Sequence, residues 1–158
     1  MKIGILCTAI LILGQATTAS AQTAVKHFPA SSAGQPAGAV SPTGMPAYST
    51  SVMAGDTLYV SGTVDIDPAT GTPPTDVKAG AKLVLDNIKR SVEGAGPTMN
   101  DLVWVQVFTT DLANYTIFNE VYRSYFVGPL PARAFIGAGS LLAGSHFEVM
   151  GIAVKPKK

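Results

Sequence analysis

Two charged residues stand out in the last third of the sequence, in a stretch that is otherwise apolar or rich in small residues. Arg133 follows Pro131 and Ala132, and Glu148 lies within the apolar run 147–154. An arginine binds a carboxylate through two parallel hydrogen bonds, because its planar guanidinium matches the two oxygens. A partly buried glutamate suits proton transfer, because burial raises its pKa toward neutral pH. Together the two residues predict a site for a small organic acid.

Both charges lie on predicted strands. Residues 130–154 read as two apolar strands joined by a Gly-rich turn, with Arg133 opening the first strand and Glu148 inside the second. Because strand side chains alternate, Glu148 shares a face with Met150 and Ile152. A carboxylate on an apolar face is costly unless it is paired or hydrogen-bonded. We therefore expect a solvated edge strand, an ion pair between Arg133 and Glu148, or a ligand that both residues face.

Three further polar residues complete the candidate set: Tyr48, Ser61 and Asn119. Each also has a purely structural interpretation, as a packed strand aromatic, a strand end and a helix-surface residue respectively. His146 precedes Glu148 on the same predicted strand face, where it either tunes that carboxylate or is half-exposed and inert. The sequence has no nucleotide-binding glycine loop, no Gly-x-Ser-x-Gly motif and no His-Glu-x-x-His pair, so we expect no metal site.

The first 21 residues have the organisation of a secretory signal peptide. Lys2 supplies a positive charge, residues 3–14 form an apolar run, and Ala19 and Ala21 fit the small-residue cleavage pattern. The alternative is a membrane anchor, for which the run is short. We predict cleavage before Gln22, export to the periplasm or beyond the cell, and no membrane attachment afterwards.

Cleavage would leave 137 of the 158 residues, the size of one ordinary domain. The only cysteine, Cys7, would be removed with the signal, which excludes disulfides and thiolate chemistry. Ten basic and ten acidic residues would remain, so the formal net charge would be zero. This argues against nucleic-acid binding, which needs a basic surface to neutralise phosphates. Residues 22–44 are rich in Ala, Ser, Gly and Pro, so we expect a flexible leader or a loosely packed arm ahead of a domain at 45–158.

The hydrophobic pattern of this domain predicts an α+β fold with a mixed sheet and two helices on one face. Three strands, around Trp104, around Val149 and at 58–60, are apolar on both faces. Since two helices cover only one face, the other must bury against something, and a homo-oligomer is the economical answer. The predicted elements are strands at 48–52 and 57–61, a helix between Asp76 and Gly94, a strand at 101–110 whose faces carry Val103, Val105, Val107 and Leu102, Trp104, Phe108, a helix capped by Asn114, and two strands within 130–154.

A set of short motifs, in this order, resembles the RidA (YjgF) family over about residues 44–155. Any single motif is weak, but the ordered set is highly specific. The resemblance implies a chorismate-mutase-like fold in homotrimers, with ligand sites in clefts between subunits. The motifs are Tyr48, Asp56-Thr-Leu-Tyr-Val-Ser-Gly62, Asp67-Pro-Ala-Thr-Gly71, Asp86-Asn87, Phe108-Thr-Thr-Asp-Leu112, Asn119-Glu-Val-Tyr122, Pro131-Ala-Arg133 and Phe147-Glu-Val-Met-Gly-Ile-Ala153.

The resemblance also implies hydrolysis of reactive enamines and imines, such as 2-iminopropanoate and 2-iminobutanoate, to 2-keto acids and ammonia. By position, Arg133 would bind the substrate carboxylate and Glu148 would position or activate water. The family's remaining site residues fall on Tyr48, Ser61, Gly62 and Asn119. No cofactor is implied, because an imine carbon is already electrophilic and needs only orientation, a proton and water.

The sequence departs from the family pattern at Phe135, where a small residue is usual, and at Met150, where a second Glu is usual. Both are expected to narrow or dry the pocket and alter its substrate. Two other interpretations stay open: a non-catalytic trimeric binder of small carboxylates or chaperone-like protein, and a ribonuclease. Neutral charge and predicted export weigh against the ribonuclease. Retention of Glu148 favours the deaminase, since a carboxylate binder needs no acid.

Overall fold

The computed structural model describes residues 24–30 and 46–156, which form one six-stranded mixed sheet with two helices packed on one face. The strands lie in the order β1-β2-β3-β6-β4-β5, and all neighbours are antiparallel except β4 and β5. The predicted α+β class is confirmed. The elements are β1 (Val25–Pro29), β2 (Ser49–Ala54), β3 (Thr57–Val64), α1 (Val77–Ala95), β4 (Leu102–Thr109), α2 (Tyr115–Arg123), β5 (Ala132–Gly137) and β6 (Phe147–Val154).

Strand β1 lies inside the segment 22–44, where we expected a flexible leader or a loosely packed arm. Val25 is in register with Ala54 of β2, and Phe28 packs against the core. The expectation of flexibility therefore does not hold for these five residues. This strand has only five residues and lies among small residues, so the composition of the segment concealed it. The predicted signal peptide lies outside the described residues, and no helix within 24–30 or 46–156 is long and apolar enough to span a membrane.

Helix α1 forms where the apolar spacing predicted it, and both of its ends are capped. The Asp76 side chain accepts a hydrogen bond from the backbone N–H of Lys78 at 3.0 Å. Gly96 ends the helix with a φ of 108°, which a residue with a side chain rarely adopts. The apolar stripe buried against the sheet consists of Ala81, Val84, Leu85, Ile88 and Val92.

Helix α2 is capped differently from the prediction. Asn114 has helical φ and ψ angles, and its side chain makes no capping hydrogen bond. Asp111 instead accepts a hydrogen bond from the backbone N–H of Ala113 at 2.9 Å, at the start of a 3₁₀ turn that runs into the helix. The difference has a local cause. Because the 3₁₀ turn precedes α2, the capping residue lies three positions before Asn114, the predicted cap.

A register shift between Leu102 and Trp104 changes the predicted faces of β4. Leu102 is buried with Val105 and Val107, whereas Val103 is exposed. The predicted alternation was therefore wrong at the first two residues, because a bulge adds a residue that alternation does not count.

The face of the sheet away from the helices is apolar and uncovered within the described residues. Tyr59 is 51% exposed and Trp104 is 37% exposed, and both are in register with Ile152 between them. Contiguous exposed apolar surface of this kind marks an interaction site. We refer to this side as the open face and to the other side as the helix face.

Strands β5 and β6 are not adjacent, although they follow one another in the sequence. Strand β4 lies between them, parallel to β5 and antiparallel to β6. The Gly-rich connection between Gly137 and Phe147 therefore crosses the end of β4 rather than closing a hairpin. It contains a 3₁₀ turn at Leu142–Gly144, in which Ala143 has a positive φ of 51°.

Candidate active site

Arg133 lies on the edge strand β5 and points to the helix face. Its Nη2 donates a hydrogen bond to Oδ1 of Asn119, a residue of α2, at 2.6 Å. The guanidinium stacks over the ring of Tyr122, with its central carbon 4.5 Å from the ring centroid. Asn119 and Tyr122 are three residues apart, so they face the same side of α2. The helix thus fixes the guanidinium by an amide at one nitrogen and a ring against its plane.

Two further aromatic rings border the guanidinium. Its central carbon lies 5.7 Å from the ring centroid of Phe135 and 5.8 Å from that of Tyr115. The Phe135 ring also packs edge-on against Tyr115 at 5.0 Å and contacts Phe118 of the core at 5.4 Å. Phe135, at one of the departures from the family pattern, therefore fills space beneath α2 beside Arg133.

Glu148 lies on the open face of β6, and its carboxyl group lies against Gly62 of β3. A Cβ added at Gly62 would collide with Oε1 of Glu148, so a side chain at this position would force the carboxyl group to move. Among the described residues, no group donates a hydrogen bond to it. Burial raises the pKa of Glu148 above its ordinary value, because desolvation penalises the charged form. A carboxyl group in this state suits proton transfer closer to neutral pH than an exposed one.

Ser61 lies next to Gly62 on β3, and Tyr48 lies next to β2, the strand that pairs with β3. The Ser61 hydroxyl donates a hydrogen bond to the backbone carbonyl of Ser49 at 2.6 Å, which ties β3 to the start of β2. Tyr48 immediately precedes β2 and is partly exposed. The structure thus places Ser61 and Gly62 on β3 and Glu148 on the adjacent β6, with Tyr48 immediately ahead of β2, the other neighbour of β3. We call these four residues the glutamate cluster.

The six predicted site residues form two clusters, because Arg133 and Glu148 lie on opposite faces of the sheet. Arg133 is in register with the buried Val105 on the helix face, and Glu148 is in register with Phe108 on the open face. The expected ion pair between them is therefore not formed within one chain. Asn119 and Arg133, with Tyr122, form what we call the arginine cluster.

Sequence reasoning missed the role of Tyr122. Only 3% of this residue is exposed, and no described residue hydrogen-bonds its hydroxyl. Burial raises its pKa to about 12. In the sequence, Tyr122 lies in the family motif Asn119-Glu-Val-Tyr122 and was predicted to be on the buried stripe of the second helix, without a role beside Arg133. Its position three residues after Asn119 was the available signal, because that spacing puts both side chains on one side of a helix.

Sequence reasoning also missed Asp65, whose side chain is fully buried. Its Oδ2 lies 2.8 Å from Nδ1 of His146, so the His146 ring pairs with Asp65. The interpretation in which His146 tunes the Glu148 carboxylate is therefore wrong. Within residues 24–30 and 46–156, no group of three or more His, Cys, Asp and Glu side chains is placed to hold a metal ion.

A mixed six-stranded sheet with two helices on one face, an arginine clamped at its edge and a glutamate on its open face defines a RidA-like α+β domain. Residues 38–155 match the family described as endoribonuclease L-PSP, and the chain belongs to that family. The chain is 36% identical over 115 residues to a 2-iminobutanoate/2-iminopropanoate deaminase of Rattus norvegicus. The aligned region covers 72% of this chain and 84% of the rat protein.

Solved structures show the same fold. The structure of Escherichia coli TdcF with bound serine matches this chain with a TM-score of 0.70 at 31% identity. The match covers 83% of this chain and 100% of the TdcF chain. The structure of RidA from the Antarctic bacterium Psychrobacter matches with a TM-score of 0.69 at 32% identity. This match covers 82% of this chain and 99% of the Psychrobacter chain. The predicted family membership and fold are therefore confirmed.

Proposed function

We propose that this protein hydrolyses reactive 2-imino acids and their enamine forms, such as 2-iminopropanoate and 2-iminobutanoate, to 2-keto acids and ammonia. The observation that carries the proposal is the state of Arg133. Asn119 and Tyr122 hold its guanidinium in place, yet no described carboxylate pairs with it. A guanidinium fixed in this way presents its remaining N–H groups to a ligand carboxylate. The deaminase name of the rat relative supports the same reaction.

The chemistry follows from the two charged groups. Arg133 would bind the carboxylate and so place the imine carbon next to Glu148. Glu148 would take a proton from water as the water oxygen attacks the C=N carbon and would return it to nitrogen, which gives a carbinolamine. It would then take the hydroxyl proton of the carbinolamine and pass it to nitrogen as the C–N bond breaks and ammonia leaves. The C–N bond is replaced by C=O, and the products are a 2-keto acid and ammonia. Positioning supplies most of the effect, since the imine carbon is already electrophilic.

The opposite orientation of Arg133 and Glu148 leads us to propose that each site forms between two copies of the chain. The arginine cluster of one copy would meet the glutamate cluster of the next. The open face supplies the apolar surface that such an assembly would bury. We propose a homotrimer, as the family resemblance implies, because rotation closes head-to-tail contacts into a ring. In it, Gly62, Ser61, Tyr48 and Asn119 would line or support the ligand pocket.

We further propose that residues 1–21 are a signal peptide and that the protein acts in an exported compartment. The support is the sequence pattern alone. The physiological imine would then be one that forms or arrives outside the cytoplasm.

The test is an imine-hydrolysis assay on the protein without residues 1–21. An amino-acid oxidase generates 2-iminobutanoate, and semicarbazide competes with the protein for the imine. The proposal predicts that the protein lowers semicarbazone formation in proportion to its concentration. If the protein leaves the semicarbazone yield unchanged but binds 2-oxobutanoate through Arg133, the enzyme interpretation fails and a carboxylate-binding protein is the better description.

A further inference from the structure

The ladder between β3 and β6 is irregular next to Glu148. Val60 is in register with Gly151, but the next pair is Thr63 with Val149. Strand β3 therefore has one more residue than β6 between these two pairs. This bulge removes regular pairing at Ser61 and Gly62, the part of β3 that Glu148 lies against. Only two register pairs, Thr63 with Val149 and Val64 with Glu148, follow before β3 ends.

Asp65 extends this short end of the ladder with its side chain. Its Oδ1 accepts hydrogen bonds from the backbone N–H groups of His146, at 2.9 Å, and Phe147, at 3.1 Å. Its Oδ2 pairs with Nδ1 of His146 at 2.8 Å. The carboxylate is fully buried, and three donors compensate its lost hydration. One side chain thus joins the end of β3 to the start of β6, immediately ahead of Glu148.

Helix α1 is shaped to admit this carboxylate. A Cβ added at Gly80 would collide with Oδ2 of Asp65 and would lie 3.4 Å from Nδ1 of His146. Gly80 is buried in the first turns of α1, where alanine is otherwise the better helix former. A glycine at this point therefore serves the Asp65–His146 pair and not the helix.

We infer that Asp65, oriented by His146 and given room by Gly80, is a positioning residue that fixes the Glu148 end of β6 over the bulge at Gly62. Asp65 itself touches no ligand in this account. It acts through the backbone of residues 146 and 147, and so sets where the Glu148 carboxylate lies. The inference rests on the proposed function only for the catalytic role of Glu148, since the hydrogen bonds of Asp65 to residues 146 and 147 are independent of that role.

The main test variant is Gly80→Ala, which disturbs the Asp65 carboxylate without changing Asp65 or His146 themselves. Its matched control is Gly94→Ala in the same helix, where an added Cβ meets nothing within 4 Å. The second variant is Asp65→Asn, which keeps an oxygen for both backbone N–H groups but loses the charge. Four quantities are measured: kcat and KM for 2-iminobutanoate, the dissociation constant for 2-oxobutanoate, and the pKa of the Glu148 carboxyl. The pKa is measured by carbon-13 NMR, with the resonance assigned through Glu148→Gln.

We expect Gly80→Ala to lower kcat by about 10–100-fold, because small misplacements of a catalytic group are costly. The KM and the 2-oxobutanoate dissociation constant should stay within about twofold, since Arg133 is on the other face. The pKa of Glu148 should move toward its ordinary value as the carboxyl becomes more solvated. Asp65→Asn should act in the same direction, and Gly94→Ala should change none of these quantities. In a Glu148→Gln background, Gly80→Ala should cause no further loss of kcat.

Three results would overturn the inference: an unchanged Glu148 pKa in both variants, an additional loss of kcat in the double variant, or turnover and ligand binding that fall together with the folded fraction. If the wild-type protein hydrolyses no imine, the proposed function fails instead. The NMR comparison of Gly80→Ala with Gly94→Ala then decides the positioning role alone.

Discussion

Arg133 and Glu148 lie on opposite faces of the same sheet, with β4 between their strands. Arg133 shares its face with Val105, under α2, and Glu148 shares its face with Phe108, on the open face. Two strand spacings put β5 and β6 about 10 Å apart, and Arg133 lies across β4 from Gly151, three residues along β6 from Glu148. The side chains of Arg133 and Glu148 also point in opposite directions. One chain therefore holds two incomplete halves of the proposed site.

Replacing Arg133 tests the carboxylate anchor. Arg133→Ala should abolish turnover and weaken 2-oxobutanoate binding, because each charge-assisted hydrogen bond contributes about 1.5–3 kcal/mol. Arg133→Lys should restore little, since an ammonium does not reproduce the planar fork. Calorimetric titration measures the binding. Arg90→Ala is the matched control, because Arg90 bonds Asn87 on the exposed side of α1. Near-normal affinity in Arg133→Lys would contradict the two-pronged contact.

Tyr122 separates the role of a ring from that of a hydroxyl. Tyr122→Phe keeps the ring under Arg133 and removes a buried hydroxyl without a partner among the described residues, so the melting temperature should stay level or rise. Tyr122→Leu removes the cation–π contact and should weaken 2-oxobutanoate binding by about 0.5–2 kcal/mol. If Tyr122→Phe weakens binding as much as Tyr122→Leu, the hydroxyl itself contacts the ligand or a neighbouring copy.

Glu148 should make stability depend on pH in a defined direction. Because its pKa is raised in the folded protein, the folded state holds this proton more tightly than the unfolded state. The Glu148 contribution to the free energy of unfolding therefore falls as pH rises from about 4.3, the ordinary glutamate value, through the raised pKa. Glu148→Gln should raise the melting temperature above this window and leave it unchanged below.

Activity should change in the opposite sense to stability. Turnover should fall as pH drops through the raised pKa of Glu148, because only the carboxylate accepts a proton from water. Glu148→Gln should lower turnover by about 10²–10⁴ while 2-oxobutanoate still binds. A melting temperature for Glu148→Gln that matches the wild type at pH 8, together with unchanged turnover, would remove Glu148 from the account.

The sequence predicted the elements well where a period ran long enough. Helix α1 and strand β4 each carry a repeated apolar pattern, and both formed close to the expected residues. The short strand β1 and the 3₁₀ turn ahead of α2 were missed, because five residues or one turn do not establish a period.

The site was predictable in its residue types but not in its geometry. The family resemblance marked Arg133 and Glu148, yet sequence order suggested that their strands were neighbours. The insertion of β4 between them is a tertiary choice that no local pattern encodes. The Asp65–His146 pair escaped notice for the same reason, since its partners are 81 residues apart in the chain.

Export makes a prediction that is independent of the site. Expressed with its full sequence in a Gram-negative host, the protein should appear in the periplasmic fraction or the medium with Gln22 as its first residue. Intact-mass measurement of that fraction checks the cleavage point. An Ala19→Lys, Ala21→Lys double variant should block processing. Full-length protein confined to the cytoplasm would rule out the signal peptide and would leave Cys7 in the working protein.

The measurement that tests the shared site most directly is complementation between two inactive variants. Arg133→Ala and Glu148→Gln are purified separately, mixed in equal amounts, unfolded together and refolded, so that copies combine at random. If each site takes Arg133 from one copy and Glu148 from another, about a quarter of the sites contain both intact residues. Imine hydrolysis should then return to about a quarter of the wild-type rate. If both residues act from one chain, every site lacks one of them, and the mixture would be as inactive as either variant alone.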